Sequence, residues 1–314
     1  MKNAILFPGQ GSQSKAMLSE LYDSFDEVKT VFKTAGEVLN FDLYDLIQND
    51  ELKLNQTINT QPAMLAAGYA CYKVLKSKAN INPICLTGHS LGEYTALVAA
   101  GYIDFDKAIA LVRKRGELMQ SAVENSQGAM AAILGLNDDV VIKLCAENND
   151  NDAGIVEAAN FNSPNQVVIS GNKDAVNKVC NMAKDNGAKM AVMLPVSVPS
   201  HSSLMKDAAK EFALEIEKTE FKMGNIAVMH NVDTSISKNV DKIKEKLIKQ
   251  LYSPVLWTQT IQKLTSELKI DTMIECGPGK VLTGLNRRIN RRLNTLMVFD
   301  NNSLNKTIEG IQNA

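Results

Sequence analysis

Short apolar runs alternate along this chain with longer stretches whose apolar residues recur every three or four positions. Residues 4–7 (Ala-Ile-Leu-Phe) read as a strand ended by Pro8, which opens a glycine-containing loop. Residues 63–74 have helical spacing, residues 84–87 read as a second short strand, and 91–100 is a stretch of strong helix formers. A further helix is predicted over 105–121, with Asp104 as its N-cap. Strands and helices alternating at these lengths favour a largely parallel sheet covered on both faces.

The middle of the chain follows a different order. Strand 129–134, helix 138–146, strands 155–159 and 166–170, helix 173–186 and strand 189–193 spell the split-βαβ, ferredoxin-like unit. Gln127-Gly128 and the proline-bounded stretch 195–199 are natural hinges. Beyond them the pattern predicts helix 204–216, strand 226–229, helix 240–251, strand 273–275 and helix 280–291. No internal repeat, low-complexity tract or long linker interrupts the chain. The expectation is an α/β protein in which a large domain (1–126 and 197–314) is interrupted by a small α+β domain (127–196).

Composition narrows the partners. Of 314 residues 45% are hydrophobic and 22% charged, ordinary for a globular chain and unlike a disordered or collagen-like one. Lys+Arg 34 against Asp+Glu 35 leaves a net charge of −1, without the basic excess of a general nucleic-acid or membrane-surface binder. The five cysteines are odd in number and scattered, with no C-x-x-C pair, and read as buried thiols of a reducing compartment. No apolar run is long enough to span a bilayer, and the apolar stretch after Met1 is too short for a signal peptide. A cytoplasmic protein is expected.

Gly88-His89-Ser90-Leu91-Gly92 matches G-x-S-x-G, a pattern chance supplies in roughly one chain of this length in ten. Its setting adds weight, because it follows a predicted strand and opens a predicted helix, as a nucleophile elbow must. Two glycines remove side chains that would collide at the bend. Ser90 then presents its hydroxyl near a helix N-terminus, where free N–H groups can stabilise an oxyanion. The local sequence fits equally a tight turn with a capping serine. Of three histidines, His89 points away from its neighbour in an elbow and reads as structural. His230 ends an apolar strand and reads as a core or sheet-edge residue. His201 follows a stretch stiffened by Pro195 and Pro199 and is the candidate base, with a surface capping role as the alternative.

Other chemistries fail on inspection. Gly9-Gln10-Gly11 lacks the third glycine of a dinucleotide loop, where Ser14 stands. Gly279-Lys280 lacks the first glycine and the Ser/Thr of a P-loop, with Ile274 and Val281 in those places. With no His-x-x-x-His pair or cysteine cluster, no metal or cofactor is expected.

The stretches Phe7-Pro8-Gly9-Gln10-Gly11-Ser12-Gln13, Gly88-His89-Ser90-Leu91-Gly92-Glu93-Tyr94 and Arg115-Gly116-Glu117-Leu118-Met119-Gln120 together resemble the malonyl-CoA:acyl carrier protein transacylases of fatty-acid synthesis. Asn160-Phe161-Asn162-Ser163-Pro164-Asn165-Gln166, the 195–201 stretch, Asn231-Val232-Asp233, Gln250-Leu251-Tyr252 and Glu275-Cys276-Gly277-Pro278-Gly279-Lys280 extend the likeness over essentially the whole chain. The resemblance implies a hydrolase-like large domain with a mostly parallel sheet, a ferredoxin-like small one, and ping-pong transfer through a malonyl-serine ester. It casts Ser90 as nucleophile, His201 as general base and the main-chain carbonyl of Gln250 as the group orienting that base. The N–H groups of Gln10 and Leu91 become the oxyanion hole. It also implies acyl carrier protein and malonyl-CoA as partners and a monomer. The start and end of the chain suggest a free-standing enzyme.

Within that resemblance Arg115 is the expected seat of the malonyl carboxylate, since a buried carboxylate needs a paired donor and guanidinium matches it in two prongs. Taken alone, it would pass for an exposed arginine on a basic helix face. Met119, one turn on, is a candidate pocket wall or plain core. Ser200 stands where related polyketide acyltransferases carry bulkier residues. His230 replaces the asparagine expected before Asn-Val-Asp. Arg287, Arg288, Arg291 and Arg292 form either a docking face for an acidic carrier protein or a solvated helix. An esterase or thioesterase would share Ser90 and His201, but α/β-hydrolases place their histidine later in the chain. A non-catalytic carrier-binding module would lack one of the pair.

Overall fold

A computed structural model describes residues 1–124, 128–149 and 154–313. The expected boundary at 126/127 and the Gln127 hinge lie outside the described residues. Among the described residues the strands are β1 (Asn3–Phe7), β2 (Cys85–Gly88), β3 (Gly128–Leu134), β4 (Val156–Ser163), β5 (Gln166–Asn172), β6 (Met190–Met193), β7 (Ala227–Val228), β8 (Thr272–Cys276) and β9 (Asn294–Val298).

They form two sheets. The larger runs β7-β2-β1-β8-β9 with every pairing parallel, and the smaller runs β4-β5-β3-β6 with every pairing antiparallel. Strand β1 is buried along its whole length, as a central strand covered on both faces should be. Helices Asp138–Glu147 and Lys173–Asp185 complete the strand–helix–strand–strand–helix–strand order of the smaller sheet.

The expected elements are present with ends shifted by a few residues, and three differences stand out. Helix 204–216 begins instead as a single 3₁₀ turn, Ser203–Met205, before helix Lys206–Lys218. The Ser203 N–H at that turn is taken by the Glu157 carboxylate at 2.6 Å, which holds the chain in a tighter bend. Strand β7 is only two residues long; Met229, whose N–H still donates to Leu86 O of β2 at 3.0 Å, forms an isolated antiparallel bridge with Ile236. Helices Ser19–Ser24, Asp26–Leu39, Leu43–Asn49, Glu51–Leu54, Trp257–Ser266 and Asn301–Gln312, together with β9, add to what the pattern predicted.

Two features place the site. Leu6 of β1 pairs with Thr87 of β2 and Phe7 with Gly88, so the loops that follow both strands leave the sheet side by side. Ligands of open parallel sheets bind at these carboxyl ends. Next to it, helix Thr57–Lys78 packs on helix Phe105–Glu124 at Gly116, where a Cβ would lie 2.9 Å from Ile58 Cα. Pro62 cannot donate to the Ile58 carbonyl one turn back, and Arg113 Nη1 donates to it instead at 3.3 Å. This close approach brings Gln61 and Arg115 face to face.

Strand β4 of the smaller sheet is tied to the segment that leads into helix Trp257–Ser266. Phe161 N–H donates to Val255 O and Val255 N–H to Ala159 O, both at 2.9 Å. The five cysteines are all buried and unpaired, as expected, with burial pushing the Cys85 thiol up to about 12. No helix among the described residues is long and apolar enough to cross a membrane.

Candidate active site

The bend after β2 is built by absent side chains. A Cβ on Gly88 would lie 2.1 Å from the Gly92 carbonyl, and one on Gly92 would lie 2.0 Å from Phe7 O. Between them Ser90 has φ 50°, a left-handed conformation that costs a non-glycine residue roughly 1–2 kcal/mol. Asn231 secures it: Oδ1 accepts the Ser90 N–H at 2.7 Å, and Nδ2 donates to Gly88 O at 2.7 Å. A strained, side-chain-braced serine at the mouth of helix Gly92–Ala99 is more than a capping residue.

Ser90 Oγ lies 2.8 Å from His201 Nε2. The other ring nitrogen of His201 lies 2.8 Å from Gln250 O. A carbonyl only accepts, so Nδ1 carries the proton and Nε2 is free to accept from the serine hydroxyl. The His201 N–H donates to the next carbonyl, Leu251 O, at 2.9 Å. Consecutive carbonyls therefore fix both the backbone and the ring, and His201 has φ 63°. His201 is only 3% exposed, which removes the surface capping alternative.

Burial, followed by the Arg115 cation, pushes the His201 imidazole down to about 3. The His201 imidazole is therefore neutral near pH 7. Acylation kcat/KM should hold its plateau through pH 6 and fall only well below 6.5; an acid limb between pH 6 and 7 would contradict this. The unfolded chain gains a proton near pH 6.5 that the folded chain refuses until about 3. Stability should therefore drop as pH falls below 6.5, by up to ~1.4 kcal/mol per pH unit. Denaturant midpoints at pH 7 and 5, compared with His201→Gln, measure this contribution.

Arg115 is 2% exposed, not the surface residue its basic helix suggests. Its Nη1 donates to Gln61 Oε1 at 2.8 Å, its Nη2 to Gln250 Oε1 at 3.0 Å, and Nη2 stands 3.5 Å from Ser90 Oγ. The guanidinium carbon sits 5.3 Å from the ring centroid of Tyr94, on the face side that favours a cation. Met119, also buried, accepts from Gln61 Nε2 through Sδ at 3.6 Å and so backs the glutamine that holds Arg115.

The remaining expected residues are placed as follows. A Cβ on Gly9 would lie 2.4 Å from His89 O, so the loop after β1 lies against the elbow. The Gln10 side chain accepts from Thr57 Oγ1 at 2.6 Å. Among the described residues neither the Gln10 nor the Leu91 N–H has a hydrogen-bond acceptor. His89 lies 2.8 Å from Asn162 Oδ1 on β4, facing away from Ser90. Arg288 Nη1 donates to Gln166 Oε1 of the smaller sheet at 2.6 Å, so one arginine of the basic helix is committed to the join between sheets.

Sequence reasoning missed Gln61, Glu93 and the brace role of Asn231. Glu93 is fully buried; Oε1 lies 2.7 Å from His230 Nδ1, and Oε2 accepts from Asn231 N–H at 3.1 Å and Gln250 Nε2 at 2.7 Å. A carboxylate inside a helix buried on all sides was the available signal. His230 is the core residue its strand suggested, spent on this carboxylate.

Comparison with known proteins adds the family. Residues 5–294 match the acyl transferase domain family. The chain belongs to this acyl transferase family. A malonyl CoA-acyl carrier protein transacylase of Haemophilus influenzae is 45% identical over 310 residues, 98% of each chain. A crystal structure of an acyl carrier protein S-malonyltransferase from Vibrio cholerae covers 98% of this acyl transferase and 100% of its own chain, at 48% identity and TM-score 0.93. A malonyl-transacylase solved in complex with its type II PKS acyl-carrier protein reaches TM-score 0.96 at 45% identity, over 99% and 100% of the two chains.

Proposed function

We propose that this acyl transferase moves malonyl from malonyl-CoA to the phosphopantetheine thiol of acyl carrier protein, supplying fatty-acid chain elongation. One observation carries the reading: the oxygen hydrogen-bonded to His201 Nε2 also stands 3.5 Å from Arg115 Nη2. A nucleophile and a buried cation that share one small site suit an acyl group with an acid at its far end.

The reaction runs in two halves. Ser90 Oγ bonds to the thioester carbonyl while its proton passes to His201 Nε2; the carbon–sulfur bond then breaks, and the proton leaves on the CoA thiol. In the second half the pantetheine thiol gives its proton to His201 and its sulfur attacks the ester. The carbon–oxygen bond breaks and the proton returns to Ser90. The Gln10 and Leu91 N–H groups stabilise the oxyanion of both intermediates. The Gln250 carbonyl takes the place of a triad carboxylate and orients the base without adding charge. Arg115 holds the malonyl carboxylate, with Met119 on the pocket wall behind Gln61.

The same reading makes 1–126 with 197–314 a hydrolase-like catalytic domain and 127–196 a ferredoxin-like one. It puts the reaction in the cytoplasm, on a monomer, without a metal or cofactor. Incubating the chain with malonyl-CoA and phosphopantetheinylated carrier protein should give a carrier heavier by one malonyl group in an intact-mass spectrum. Free malonate beside unmodified carrier would identify a hydrolase instead.

A further inference from the structure

The cation at Arg115 is held by two neutral amides, since Gln61 Oε1 and Gln250 Oε1 are the partners of its terminal nitrogens. That is unusual for a guanidinium with so little exposure, because a buried charge ordinarily needs an opposite one. It also suits the reading of Arg115 as a carboxylate site. A carboxylate bonded directly to the guanidinium would occupy the donors the substrate needs.

The opposite charge stands one amide further back. Gln250 Nε2 donates to Glu93 Oε2 at 2.7 Å and to Ser90 O at 3.1 Å. Both partners only accept, so the amide can face just one way, and its oxygen is turned onto Arg115. Glu93 itself is completely buried and its other oxygen is met by His230. Burial pulls the Arg115 guanidinium down, and Tyr94 and then the Glu93 carboxylate work against it.

We propose that Glu93 is the remote counter-charge of Arg115, and that it sets how strongly the site favours a carboxyacyl group over a neutral one. This rests on the reading that Arg115 receives the malonyl carboxylate. Glu93 offsets the cation through Gln250 while taking none of the guanidinium donors itself. When malonyl arrives, its carboxylate meets the attraction of Arg115 and the repulsion of Glu93 together. Glu93 thus tempers the grip on a group that must be both taken up and passed on. It acts through Gln250 and Arg115, and touches no reacting atom.

Glu93→Gln isolates the charge. The amide can turn its oxygen to Gln250 and Asn231, and its NH₂ meets His230 Nδ1, which accepts once the ring proton moves to Nε2. The test is the rate of Ser90 acylation by malonyl-CoA and by acetyl-CoA, followed by rapid quench and intact mass. Removing one negative charge at this range should shift the malonyl-to-acetyl ratio roughly tenfold toward malonyl. Oxyanion stabilisation is common to both substrates and cancels in the ratio.

The melting temperature is the second readout. It should fall in Glu93→Gln, which leaves Arg115 without its counter-charge. Adding Glu93→Gln to Arg115→Ala should raise it, because there the carboxylate is the unpaired charge. An unchanged ratio, or one shifted toward acetyl, while Arg115→Ala still collapses malonyl preference, overturns the proposal and leaves the Arg115 reading standing. A ratio untouched by Arg115→Ala overturns both. If Glu93→Gln alone fails to fold, recovery in the double variant supports the pair and failure of both variants overturns it.

Discussion

Replacing Ser90 by alanine should abolish the covalent intermediate: after incubation with malonyl-CoA the chain shows no malonyl adduct, and transfer falls by about 10⁴-fold or more. The size follows from the lack of a substitute. Among the described residues no other hydroxyl is hydrogen-bonded to the imidazole of His201, and the bend that presents residue 90 is fixed by Gly88, Gly92 and Asn231, none of which changes. Alanine must still adopt φ near 50°, at a cost close to that of serine, so the loss belongs to chemistry and not to folding. His201→Ala should fall nearly as far, and the double variant no further, because base and nucleophile act as one unit. The loss should lie in kcat, with KM for malonyl-CoA little moved, since on the proposed reading Arg115 is still in place to bind the acyl group. Full stoichiometric acylation of Ser90→Ala would remove the nucleophile from the mechanism.

How much of this site is legible in the sequence depends on what each residue needs around it. The elbow is legible because its constraint is local: two glycines flank a serine between a strand and a helix, and both prove to be positions where a Cβ would strike backbone. His201 is legible by elimination, with three histidines in the chain and two of them at strand ends. Gln61 and Glu93 are not. Each looks like an ordinary polar residue in its helix, and each acquires its role from residues far along the chain: Arg115 for Gln61, and Asn231, His230 and Gln250 for Glu93. A polar group with distant partners leaves no periodic trace.

The fold divides in the same way. The antiparallel unit is readable because its strands and helices follow one another closely in the split-βαβ order, although only β4 and β5 pair as sequence neighbours. Strand β9 escapes because it lies at the sheet edge, only partly buried along most of its length, and owes its extended form to pairing with β8. Helix Asp26–Leu39 does carry buried apolar residues at helical spacing, Val28, Val31, Phe32 and Ala35. It falls in a run of consecutive helices that strand–helix alternation gives no reason to expect.

Arg115→Ala should separate binding of the acyl group from the chemistry. Malonyl transfer is expected to fall by about 10²–10³-fold, the worth of a charge-assisted pair to a buried carboxylate, while acetyl transfer holds or rises. Without the guanidinium, the malonyl carboxylate would meet no cation from residue 115, and Glu93 behind Gln250 carries the same sign of charge. An acetyl group brings no charge and gains the space. The variant also leaves Gln61 Oε1 and Gln250 Oε1 without donors, which weakens both substrates alike and is removed by taking the malonyl-to-acetyl ratio. Arg115→Lys sharpens the test. It keeps the charge but cannot span both glutamines and a carboxylate with one ammonium, so its ratio should lie between those of the parent and the alanine variant. Equal losses for the two acyl groups would mean that Arg115 only braces Ser90 and Gln250, and the choice of a diacid would have to be made elsewhere in the cleft.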